Sequence, residues 1–137
     1  MAEFATSIDI EAPPEVVFDH LVTPEGMTAW MGQRAELDAI PGGVFSVDID
    51  GNPIRGEYVE VDRPRTVVVT WGLLGSDILP VGSTRVEFRL TPIETGTRLD
   101  LSHTGLPDSQ VAPHAEGWPH FAGQLAEAAS AGARRSA

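Results

Sequence analysis

The segment 105–131, Gly-Leu-Pro-Asp-Ser-Gln-Val-Ala-Pro-His-Ala-Glu-Gly-Trp-Pro-His-Phe-Ala-Gly-Gln-Leu-Ala-Glu-Ala-Ala-Ser-Ala, decides the fold. From Trp118 onward its apolar residues, Trp118, Phe121, Ala122, Leu125, Ala126 and Ala129, recur at i, i+3, i+4 and i+7 steps and line one stripe of a helix. The stripe carries two bulky aromatics and then only Leu and Ala, so a sheet, or a sheet plus a ligand, must cover it. Pro113 and Pro119 fall inside the pattern, and each removes a helix hydrogen bond. They predict a helix that breaks near Gly117 or starts late. Residues 130–137, with Arg134-Arg135, read as a frayed tail.

Everything upstream reads as material for that sheet. Phe4 to Glu11 alternates with period two, as a half-buried first strand does. Pro13-Pro14 stops it and opens a short helix, with Glu15 near its N-terminus and Val16, Val17, Leu21 and His20 toward the inside. Thr23-Pro24-Glu25 is a second helix start, a capping hydroxyl followed by proline and an acid. Met27, Trp30 and Met31 follow at helical spacing, and Gly32 ends the helix. Strands are then expected over Arg34–Ile40, Val44–Asp50, Ile54–Val61, Thr66–Trp71, Arg85–Thr91 and Thr97–Thr104. Asp50-Gly51-Asn52 marks a tight hairpin, because its central positions favour positive φ. Gly72 to Ser83 holds three glycines and Pro80, and is a loop. One strand, two short helices, about six strands and a long final helix make an α+β protein with an antiparallel sheet curled around its C-terminal helix.

Composition narrows the chemistry. The chain has 137 residues, suited to one domain spanning 1–137. It has no cysteine, which excludes disulfides, thiolate nucleophiles and cysteine metal sites. All 9 basic residues are arginine, which excludes a lysine Schiff base. A formal net charge of −11 argues against nucleic acid and anionic membrane as partners. The N-terminal Met-Ala-Glu-Phe-Ala-Thr has neither a basic region nor an apolar run, and no stretch approaches bilayer length. The expected location is the cytoplasm.

An ordered set of short motifs then carries a resemblance. It comprises Thr-Pro-Glu-Gly-Met-Thr-Ala-Trp-Met-Gly (23–32), Pro-Gly-Gly-Val-Phe (41–45) and Gly-Glu-Tyr-Val-Glu-Val-Asp-Arg-Pro-Arg (56–65), followed by Thr-Trp-Gly (70–72), Gly-Thr-Arg-Leu (96–99), His-Thr-Gly-Leu-Pro (103–107) and Gly-Trp (117–118). Over nearly the whole chain these resemble the START-like superfamily, in the branch similar to the C-terminal domain of the heat-shock protein 90 ATPase activator. The resemblance implies a helix-grip fold of about six or seven strands, with a cavity between sheet and long helix. It also implies one of three roles: binding of an apolar or amphipathic small molecule such as a lipid, polyketide or aromatic metabolite; a chaperone-activator-like interaction module; or a polyketide cyclase or dehydratase. A homodimer is a further partner to consider. Fold alone does not choose among these.

The candidate ligand-binding residues are the large side chains that would face inward. Trp30, Phe45, Trp71, Phe88, Trp118 and Phe121 would line the cavity, with Met27 and Met31 near its mouth. The same residues equally describe a filled core. His103 shares strand parity with Leu99 and Leu101, and Tyr58 shares parity with Ile54, so both would offer polar atoms on the apolar side. His103 is either a hook for a ligand or a histidine held by its own protein. No metal and no cofactor is expected. His114 and His120 lie six apart, on different helix faces, and Glu116 with His120 supplies only two ligands. Asp48-Ile-Asp50-Gly51 lacks the glutamate that completes a calcium loop. No serine stands in a nucleophile elbow, and no catalytic constellation is visible.

Overall fold

The computed structural model describes residues 2–136, with side chains described for residues 3–133. Strand β1 (Ala2–Ile10) leads into helices α1 (Pro14–Val22) and α2 (Pro24–Thr28). Six strands follow: β2 (Arg34–Leu37), β3 (Val44–Ile49), β4 (Asn52–Asp62), β5 (Thr66–Trp71), β6 (Thr84–Ile93) and β7 (Gly96–Leu106). Helix α3 (Asp108–Ser136) closes the chain. The strands form one 7-stranded antiparallel sheet in the order β1-β7-β6-β5-β4-β3-β2. The first strand thus pairs with the last, and α1 and α2 carry the chain from one sheet edge to the other. The sheet curves around α3, as the element order predicts.

Local chemistry sets the boundaries. Thr23 caps α2 by accepting from the Gly26 amide at 3.1 Å. Helix α2 ends at Thr28 with Ala29 as its C-cap, earlier than the Gly32 stop expected from the sequence. Gly32, at φ 79, turns the chain toward β2, and a Cβ there would meet the Asp48 carbonyl at 2.6 Å. Asp50 (φ 50) and Gly51 (φ 83) form the two-residue turn between β3 and β4, with Ile49 paired to Asn52. The strand expected to reach Ile40 stops at Leu37, because the chain bends toward the Pro41-Gly42 turn, although the Asp38 amide still donates to the Val44 carbonyl at 2.9 Å. Strand β4 shifts register between Tyr58 and Glu60.

Helix α3 differs from its expected form. It is continuous from Asp108 to Ser136 and does not break near Gly117. Both prolines sit at exposed positions, where water can serve the carbonyl that each leaves without a partner. The backbone of residues 130–136, expected to fray, is helical, and Ala137 lies outside the described residues. The inner face of α1 is Val17, Phe18 and Leu21, while Val16 and His20 are half-buried. Phe18 is also covered by the Arg63 guanidinium, 4.8 Å from its ring centroid, and Arg63 pairs with Asp19.

One core joins these elements. Trp118, Ala122, Leu125 and Ala129 of α3 are buried, as the helical stripe requires, against β1, α1 and the inner faces of β5 to β7. Leu99, Leu101 and His103 of β7 point to that same side. A chain of ring contacts crosses the core from Trp30 to Phe88 (6.4 Å), Trp118 (6.1 Å), Trp71 (5.2 Å), Phe45 (6.0 Å) and Tyr58 (5.8 Å). Most of the volume between sheet and helix is therefore filled by protein.

Candidate functional site

The space that remains lies at the open side of the grip, where the first turns of α3 pass over β3 and β5. A cavity of about 170 Å³ is lined by Ile49, Trp71, Pro113, His114, Gly117, Trp118 and Phe121. A larger groove of about 550 Å³ adjoins it and includes Trp30, Met31, Gln33, Asp50, His120, Gln124 and Glu127 in its walls. Ile49 and Phe121 belong to both walls, so this pair stands between a small apolar space and a larger polar one, both open to solvent. The β3–β4 turn places Ile49 and Asp50 there. One turn of α3 places Gly117, Trp118 and Phe121.

The small cavity suits a ligand end and not a whole drug-sized molecule, since sites for the latter run to about 300–1,000 Å³. A cavity of about 150 Å³ is enough for one benzene ring. Gly117 contributes space directly: a Cβ added to it would meet nothing within 4 Å. Glycine inside a helix costs about 1 kcal/mol relative to alanine, so the open space comes at the expense of helix stability.

Hydrogen bonds divide the polar groups into spent and available ones. Trp118 Nε1 donates to His103 Nδ1 at 3.0 Å, which makes Nδ1 an acceptor and puts the ring proton on Nε2. His103 Nε2 then donates to Thr84 Oγ1 at 2.7 Å, and that hydroxyl donates to the Trp71 carbonyl at 2.8 Å. The relay Trp118–His103–Thr84–Trp71 uses every polar atom of the His103 ring. Burial, reinforced by the neighbouring His114, lowers the His103 pKa to about 3. His103 is held by its own protein. Replacing Thr84 by valine should strand both the His103 N–H and the Trp71 carbonyl, at a cost of about 1–3 kcal/mol in urea denaturation.

The Tyr58 hydroxyl is spent too, because it donates to the Leu21 carbonyl at 2.9 Å, and burial pushes its pKa up. Trp30 Nε1 donates to the His20 carbonyl at 2.8 Å. Trp71 Nε1 is different: it is buried and has no hydrogen-bond partner among the described residues. Of the residues singled out from the sequence, Trp71, Trp118 and Phe121 line the cavity, while Trp30 and Met31 reach the outer groove together with Phe121. Met27, Phe45, Tyr58, Phe88 and His103 border neither space and pack the core. Met27 is therefore core and not mouth.

Ile49, Pro113, His114 and Gly117 also line the cavity and are not among the ligand-binding residues expected from the sequence. Two signals pointed to them. His114 stands one helical turn before Trp118 and so shares its face. Gly117 is an interior helix glycine beside the largest residue of the stripe, and such a glycine has a packing or functional reason. Among the described residues, no group of three His, Asp or Glu side chains is placed to hold a metal ion, and no helix is long and apolar enough to cross a membrane.

A curved antiparallel sheet that grips a long C-terminal helix, with a small cavity at the open side of the grip, defines a START-like helix-grip protein. The chain belongs to the family of Activator of Hsp90 ATPase homolog 1-like proteins, which residues 11–130 match. A similar solved structure is an AHSA1-like protein from Rhizobium etli, with 37% identity, a TM-score of 0.76 and coverage of 94% of this chain and 82% of that one. DynU16, a protein in the dynemicin biosynthetic locus, shares 26% identity with a TM-score of 0.78, over 91% of this chain and 46% of the other. The Aha1 dimer from Colwellia psychrerythraea has the same fold, with a TM-score of 0.81, 21% identity and coverage of 95% and 97%. A search of curated proteins finds no match to the sequence.

Proposed function

We propose that this protein binds an apolar or amphipathic small molecule with one ring-sized end in the cavity beneath the first turns of α3. The observation that carries this reading is the cavity of about 170 Å³ walled by Trp71, Trp118, Phe121 and the Gly117 backbone, and opening beside a polar groove. Its walls supply aromatic faces for a ring, and the groove supplies water and polar side chains for the remainder of the ligand. Likeness to a protein of the dynemicin biosynthetic locus supports the same direction.

Gly117→Leu tests it. Leucine favours the helix over glycine by up to about 1 kcal/mol, so the fold should be kept, while the added side chain occupies the cavity. Calorimetric titration should show one toluene bound per wild-type chain and at least about a tenfold loss of affinity in the variant, equivalent to roughly 1.4 kcal/mol. Equal toluene affinity in the two proteins would place binding elsewhere.

A second reading, self-association, has its own observation. The loop between β5 and β6 exposes Leu74 (57%), Ile78 (58%) and Val81 (48%), and a protein of the same fold is described as a dimer. Sedimentation of wild type and Ile78→Glu over a concentration series distinguishes this reading from the first, because it moves mass and leaves toluene binding unchanged.

A further inference from the structure

Two polar side chains of the cavity keep a group that no described residue engages: Trp71, whose Nε1 is a buried donor, and His114, which offers an acceptor. The His114 Nδ1 lies 2.7 Å from the Gln110 carbonyl. A carbonyl only accepts, so Nδ1 carries the proton and donates. That bond fixes the ring's orientation on α3 and leaves Nε2, in the neutral imidazole, as a lone-pair acceptor. Nε2 has no hydrogen-bond partner among the described residues. The ring is further set by edge-to-face packing on His103, with centroids 4.9 Å apart and planes at 90°. It lines the cavity with Trp71, Trp118 and Phe121.

The two packed histidines, His114 in the cavity wall and His103 in the core behind it, thus have opposite fates. His103, completely buried, has both nitrogens engaged by Trp118 and Thr84. His114 has one nitrogen engaged and the other available. An oriented acceptor in a largely apolar pocket selects ligands that bring a donor to it, because any ligand that does not will desolvate the nitrogen without replacing its bond to water. A hydroxyl, which accepts as well as donates, is also compatible with the Trp71 Nε1 donor that no described residue engages.

We propose that His114 Nε2 accepts a hydrogen bond from a hydroxyl group on the ring that enters the cavity, so that the ligand class is a hydroxyl-bearing six-membered ring whose remainder lies in the outer groove. This rests on the cavity being the binding site, as proposed above. Phenol has the size of the cavity and carries the donor; toluene has the size and lacks it.

The test is the ratio of toluene to phenol dissociation constants in three proteins: wild type, His114→Phe and His114→Gln. The ratio cancels changes in cavity shape that affect both rings alike. A neutral hydrogen bond of this kind is worth about threefold to tenfold in affinity. The ratio should fall by that factor in His114→Phe and recover in His114→Gln, whose amide oxygen can accept. In wild-type protein, independent of any variant, the His114 Nε2 nitrogen resonance should move on adding phenol and stay in place on adding toluene. A ratio unchanged across the three proteins, together with a stationary Nε2 resonance, overturns the role of His114 while leaving the cavity reading intact. If neither ring binds the wild-type protein, the cavity reading fails and this inference fails with it.

Discussion

Trp118→Ala is expected to destabilise the protein by about 3–5 kcal/mol, the range for removing a large aromatic from a packed core. Trp118 is 3% exposed and touches three rings from three strands: Trp71 of β5, Phe88 of β6 and His103 of β7. Truncation removes those contacts and leaves a void next to the existing cavity. It also takes away the indole N–H that His103 Nδ1 accepts, so an acceptor is left unpaired inside the fold. Trp118→Phe separates the two effects. It keeps most of the bulk, and its loss should be nearer about 1–3 kcal/mol, the cost of a stranded polar group. Urea titrations of both variants measure this, with the slope unchanged. A loss below about 1 kcal/mol for alanine would mean that this face of α3 does not hold the sheet.

The second large effect follows from His103. In the unfolded chain it titrates near its ordinary pKa of 6.5, and in the folded protein only near about 3. Between those values the unfolded state takes up a proton that the folded state refuses, so acid favours unfolding and the stability from this residue is lost as pH falls through the window. Each unit of difference is worth 1.36 kcal/mol, so from pH 7 to pH 4 the loss approaches about 3 kcal/mol. Carboxylates titrate over the same range and are set aside by difference. The stability advantage of wild type over His103→Gln should shrink by about that amount between the two pH values. An advantage that stays constant would show that His103 accepts a proton inside the fold. A histidine-ring NMR titration checks the same point directly: the His103 signals should not move above pH 4.

The sheet and the grip were legible because they follow from periodicity. Leu99, Leu101 and His103 alternate with Arg98, Asp100 and Ser102, and the structure puts the first set inside. Asp50-Gly51 needed positive φ and has it. The prolines of α3 misled for a physical reason. A proline penalty depends on where the freed carbonyl points, and sequence does not show that Pro119 is exposed on α3 or that Pro113 is exposed at the rim of the cavity. The site was legible only in part. Hydrophobic patterning identifies which residues face inward, and it found Trp71, Trp118 and Phe121. It does not say how much of the interior the side chains fill, so Phe45, Phe88 and Met27 were indistinguishable from lining residues. Nor does it assign hydrogen-bond partners. Strand parity turns His103 inward without saying whether it is free or held, because its partners come from β6 and α3, far away in sequence. Histidine spacing sets His114 beside His120 as a failed metal pair, whereas its neighbour on the helix face is Trp118.

The most direct test of binding in the cavity uses the three indole N–H resonances of the wild-type protein during a toluene titration. Trp71 and Trp118 line the cavity, whereas Trp30 borders only the outer groove and has its N–H held by the His20 carbonyl. Toluene seated in the cavity should shift the Trp71 and Trp118 signals along one saturable curve and leave Trp30 nearly still. Shifts that never saturate, or that appear at Trp30 alone, would contradict a ligand site beneath the first turns of α3.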